Sequence, residues 1–220
     1  FAQAPFLVKL LSMAGLRNWV EYGIRNYGNH PERQIDYFKL QSPDSRAVLQ
    51  RERHGTLFAD VERQLDLYLR ALWRDNDLLV PYSTAFDELR KPIPYYDKLG
   101  MRVPDVLDDA NGVSGLDRYR AVLAHMVGHR RWSKPQIADN WSPFQRMAVE
   151  FFEDCRIETL LMREYPGLRR IFLALHPKPV ESACDPETIS CLRHRLAMLS
   201  RALLDPAHGY GDQDLLEYVR

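Results

Sequence analysis

Lysine is scarce in this chain, with six residues against 24 arginines, and the 30 bases are balanced by 30 acids to a formal charge of zero. A chain without excess positive charge exerts no long-range pull on phosphates, which argues against a nucleic-acid partner. Long hydrophobic runs are also missing. The best, Ala4 to Leu16, falls short of the roughly 18 apolar residues needed to cross a bilayer and carries Lys9. It lacks the basic start and small-residue cleavage site of a signal peptide. Cysteine is rare: Cys155, Cys184 and Cys191 are an odd count at irregular spacing. They make no disulfide framework and fit a reducing cytoplasm. There is no phosphate-binding loop, because Gly112-Val113-Ser114-Gly115 has neither the lysine nor the preceding strand. No serine stands in a nucleophile-elbow pattern.

The composition that remains is that of a folded domain. Hydrophobic residues make up 45% of 220, enough for one substantial core or two small ones. Residues 1–75 read as helical, with Leu7, Leu10, Leu11, Ala14, Trp19 and Ile24 near helical spacing and Gly15 as a weak point. Ser42-Pro43-Asp44 offers a cap-and-proline start for a helix through about Arg53. Leu57 to Trp73 fits both a helix and an alternating strand, and its length favours helix. Between 76 and 115, Pro81, Pro92, Pro94 and Pro104 interrupt any helix and leave room for short extended pieces at 78–80 and 101–104. Pro104 places the second of these at a sheet edge or in a loop. Asp108 to Gly112 reads as a turn. Two helices follow, Gly115 to about Trp132 and Pro143 to about Tyr165, the latter capped by Ser142. A last pair, about 168–175 and 185–204, is split by His176-Pro177-Lys178-Pro179. The expected class is mainly α, an α+β fold with a small sheet. The expected organisation is a single module over 1–220 of a longer protein: a helical region at 1–75, a core at 76–175 and C-terminal helices at 176–220.

The chemistry concentrates at His125-Met126-Val127-Gly128-His129. Histidines at i and i+4 share one helix face and can converge on one metal ion. The zinc-peptidase pattern His-Glu-x-x-His has its general base in the second position. Here that position is Met126, whose thioether cannot take a proton near neutral pH. The following helix is dense in carboxylates. Glu153 lies 24 positions after His129 and Glu150 lies 21 after, so Glu153, or alternatively Glu150, is placed to be a third ligand. Asp154 suits a supporting role, orienting a histidine from behind. Arg156 can pair with Glu158, Asp108 or Asp109. The same residues also suit a polar network without metal. Cys184, Cys191 and His194 match no common zinc module.

Four stretches together resemble the region preceding the von Willebrand factor A domain in NorD/CbbO-type proteins. They are His125 to Trp132, Ser142 to Arg146, Phe152 to Glu158 and Tyr165 to Arg169, and the Glu-Asp-x-Arg-x-Glu core at 153–158 is the most specific. The resemblance is best over about Tyr82 to Pro179. It implies a non-catalytic activator working in the cytoplasm with a MoxR-type AAA+ ATPase on a client metalloenzyme, of the nitric oxide reductase or Rubisco kind. The same region is similar to zincin-type metallopeptidases. That likeness implies a zincin-like helical core wrapped by extra N- and C-terminal helices. It places His125, His129 and Glu153 at ligand positions, with zinc as the implied ion and Asp154, Arg156 and Glu158 around them. Met126 departs from the pattern and takes peptidase activity away. The rival reading is a zinc-dependent hydrolase with a non-standard base, Glu150 or Asp154.

Overall fold

A serine followed by a proline sets the start of two of the main helices. In the computed structural model, which describes residues 3–53, 55–84, 93–177, 192–208 and 217, Ser42 accepts from the Ser45 N–H at the head of α4 (Pro43–Glu52). Ser142 does the same for Gln145 at the head of α7 (Pro143–Glu164). There the Gln145 side chain returns the bond to the Ser142 N–H and completes a capping box. The described residues are mainly α-helical, with nine α-helices and small sheets, as the periodicity predicts. Among them no helix is long and apolar enough to cross a membrane.

The chain divides into two compact units, one of residues 1–109 with 114–119, the other of 110–113 with 120–220. The first unit opens with α1 (Ala4–Leu10), α2 (Met13–Tyr27) and α3 (Pro31–Phe38), followed by α4. The expected weak point at Gly15 is displaced. The break falls at Leu11–Ser12, where Ser12 caps α2 by accepting from the Gly15 N–H at 2.9 Å. The core of these helices is aromatic. Trp19 stacks on Tyr37, whose hydroxyl donates to the Trp19 carbonyl at 2.8 Å, and the Trp19 indole donates to the fully buried Ser45. Each buried polar tip thereby finds a partner, which the low-dielectric interior demands.

The remainder of this unit contains β1 (Thr56–Leu57), α5 (Phe58–Tyr68) continuing into a π-helical turn at Leu69–Trp73, β2 (Leu79–Tyr82), β3 (Tyr95–Asp97), β4 (Gly100–Pro104) and β5 (Val106–Leu107). β1 pairs antiparallel with β5. β4 runs between β2, to which it is parallel, and β3, to which it is antiparallel. The segment 101–104 is therefore the central strand of its sheet, not the edge piece or loop that Pro104 suggested. The proline is its last residue, where a missing N–H interrupts no ladder, and Met101 and Val103 are fully buried. The expected turn at 108–112 closes with the bridge between Ala110 and Val113. Asn111 and Gly112 both have φ > 0 there.

The second unit holds most of α6 (Gly115–Trp132), then α7, α8 (Leu168–Leu175) and α9 (Leu192–Leu204). Its buried side chains include Leu123, Val127, Ile157, Leu161, Phe172 and Ala202. Gly128 sets the spacing of α6 and α7. A Cβ there would stand 2.6 Å from Ile157 Cγ2, so only a residue without one permits the approach. The stretch 185–191 of the last expected helix, with Cys184, lies outside the described residues.

Candidate metal centre

Positions 125 and 129 are one turn apart on α6, and 154 and 158 one turn apart on α7. Packing through Gly128 and Ile157 turns these two rows toward each other. His125 Nε2 lies 2.9 Å from His129 Nε2 and 3.5 Å from Asp154 Oδ1, and His129 Nε2 lies 3.0 Å from the same oxygen. His125, His129 and Asp154 form a candidate metal-binding triad. Donor atoms held at 2.0–2.1 Å around a tetrahedral ion stand roughly 3.3 Å apart. The three observed separations bracket that value.

The outer bonds of both imidazoles agree with inward-facing Nε2 atoms. His129 Nδ1 lies 2.9 Å from Ser133 Oγ, and the Ser133 hydroxyl donates to Glu153. With its single proton committed to Glu153, that hydroxyl accepts from His129. An Nδ1–H donated to Ser133 is the tautomer that would leave Nε2 to an ion; without one, Nε2 faces Asp154 Oδ1. His125 Nδ1 lies 3.6 Å from Glu158 Oε1. Glu153 is in turn held by Arg156, whose Nε and Nη2 donate to it at 2.8 and 2.6 Å, and Arg156 also donates to the Trp132 carbonyl at 2.8 Å. A carboxylate or hydroxyl behind each imidazole is the arrangement that fixes a metal-binding tautomer.

The acids on α7 favour a positive charge at His125. Burial pulls the His125 pKa down, but the Asp154 and Glu158 carboxylates facing its two ring nitrogens push it up to about 9. Burial raises Asp154, and the two histidines outweigh it and hold it at about 2. Arg156 holds Glu153 at about 2, against the opposing effect of burial and with help from Ser133. The proton on His125 and an ion on the triad are alternative answers to the same excess of negative charge.

The carboxylate brought to the two imidazoles is Asp154, expected in a supporting role. Glu153, expected as third ligand, braces His129 through Ser133 instead. Successive helix residues point about 100° apart, so of two adjacent acids only one reaches the imidazole tips. Glu150, the alternative ligand, is exposed and lines a cleft beside the triad. Arg156 pairs with Glu153, three residues back on its own helix, and not with Glu158. Asp108 pairs with Arg53, and Asp109 accepts from the Gly115 N–H. Met126 is only 6% exposed and belongs to the buried side chains of its helix. His194 is half-buried on α9, while Cys184 and Cys191 lie outside the described residues. Sequence reasoning missed Ser133, although its place one turn after His129 was a usable signal. No protein-family model matches this chain, and no curated protein or solved structure shows significant similarity to it.

Proposed function

We propose that this chain is a cytoplasmic, metal-holding but non-hydrolytic module of the NorD/CbbO type. In this reading it works with a MoxR-type AAA+ ATPase to activate or remodel a client metalloenzyme. The single observation that carries the reading is a triad able to hold a metal, His125, His129 and Asp154, beside a peptidase position that offers no proton acceptor. His125, His129 and Asp154 would hold the ion, with zinc the natural choice for two imidazoles and one carboxylate. Met126 supplies no base. Glu153, held at about 2 by Arg156, is too weak a base to serve in its place. A bound ion would tie α6 to α7 and stabilise the surface that partners meet. The likeness of residues 125–169 to the NorD/CbbO region supplies the partners.

The test uses the full-length protein containing this chain. Titration with zinc should give about one ion per chain, lost in His125→Ala. The zinc-loaded protein should bind a MoxR-type ATPase, raise its ATP turnover and cleave no peptide. Failure to bind or stimulate the ATPase would overturn the adaptor reading. One observation favours a second reading, a zinc-dependent hydrolase: Glu150 lines the cleft that His129 and Asp154 border. Metal-dependent peptide cleavage abolished by Glu150→Gln would establish it in place of the first.

A further inference from the structure

A cleft of about 940 Å³ lies between the end of α6 and the start of α7. Its size falls in the range of small-ligand sites. His129 and Asp154 form part of its wall, so one side of the triad gives onto it. Trp132, Trp141, Val149 and Phe152 supply an apolar and aromatic lining, and Val149 and Phe152 are 42% and 39% exposed. Three bases (Lys134, Arg146 and Arg156) and three acids (Glu150, Glu153 and Asp154) line the cleft. These charges cancel. An ion on the triad would tip the balance by two positive charges, and three protein ligands leave a fourth coordination position open.

We propose that this cleft binds a carboxylate attached to an aromatic or apolar body. The inference rests on the metal site of the preceding section and adds its ligand. The carboxylate is drawn to the ion's open position and to the cations of the wall. Arg146 is already steadied there by donating to the Ala138 carbonyl at 2.9 Å. The apolar body lies against Trp141 and Phe152, where aromatic surface is otherwise left to water. A free aromatic acid and the C-terminus of a peptide share this chemistry. A neutral ligand of the same shape gains only the apolar contact, and without the ion the acid loses its charge advantage.

The experiment begins with zinc titration of the full chain by calorimetry, which tests the metal site alone. The zinc-loaded protein is then titrated with N-acetylphenylalanine, with its amide, and with a hexapeptide ending in phenylalanine with a free carboxylate. Binding is followed by tryptophan fluorescence and calorimetry. Both acids are expected to bind, the amide and the metal-free protein roughly tenfold more weakly. Tighter binding of the hexapeptide identifies a chain terminus as the source, and equal binding a small acid. Phe152→Ala and Trp141→Ala should each weaken acid binding by roughly tenfold while zinc affinity stays unchanged. Zinc binding without acid binding overturns this inference and leaves the metal site standing. Equal affinity for acid and amide, or an undiminished Phe152→Ala, Trp141→Ala double variant, also overturns it. Failure to bind zinc overturns both.

Discussion

Replacing Gly128 by alanine sets two known effects against each other. In a helix interior, alanine is favoured over glycine by about 1 kcal/mol. Against this stands the new Cβ, 2.6 Å from Ile157 Cγ2 and 3.2 Å from Leu161 Cδ1. Ile157 and Leu161 are both fully buried and have no solvent to retreat into. Overpacking of this kind costs about 1–3 kcal/mol. The net expectation is a loss of up to about 2 kcal/mol, seen as a lower urea midpoint at unchanged slope. The strain is relieved by spreading α6 from α7, which moves Asp154 away from both imidazoles, so zinc affinity should fall together with stability. Ile157→Ala removes the obstructing methyl, so Gly128→Ala should cost clearly less in that background than alone. A Gly128→Ala protein that gains the full helix-propensity increment and binds zinc normally would show that the two helices do not meet at this point.

Ser133→Ala removes the acceptor that fixes the His129 tautomer, and should lower zinc affinity by about 10–100-fold with little change in thermal midpoint, checked by calorimetry and circular dichroism. For the metal-free protein, His125 has its pKa raised from 6.5 to about 9 in the folded state. The stability it contributes is full below about pH 6.5 and is lost as pH rises through about 9, which urea melts across that window would detect. The ion must displace the His125 proton, so apparent zinc affinity should rise about tenfold per pH unit on approach to that value from below. A flat profile between pH 6 and 8, on the order of twofold or less, would contradict the shift. In the first unit, Tyr37→Phe should cost about 1 kcal/mol in chemical unfolding, because the Trp19 carbonyl loses its buried donor.

The start of α7 was legible because a side-chain cap marks it. Ser142-Pro143 marks that start in sequence as in space, and the Gln145 side chain, a signal left unread, completes the cap. The two histidines were equally plain, since i and i+4 spacing on a helix leaves no freedom about which face they share. The choice between Glu153 and Asp154 was not legible. Both are adjacent acids, and the azimuth of α7 is decided by how Ile157 and Leu161 settle against Gly128, a tertiary fact. The strand 101–104 was misplaced for a related reason. Pro104 reports only on its own N–H, whereas the central position of β4 comes from partners at 79–82 and 95–97. Ser12, a better stop than Gly15, was overlooked because an apolar run hid the cap between α1 and α2.

Two consecutive acids at 153 and 154 do separate work by azimuth alone. One touches the imidazole tips and the other steadies an imidazole from behind, with nothing but one step of rotation to tell them apart. A single-residue insertion early in α7 would turn the helix by about 100°, carrying Glu153 to the place of Asp154 and Asp154 away from the imidazoles to the buried place of Cys155. The centre is thus more sensitive to register than to the identity of either carboxylate.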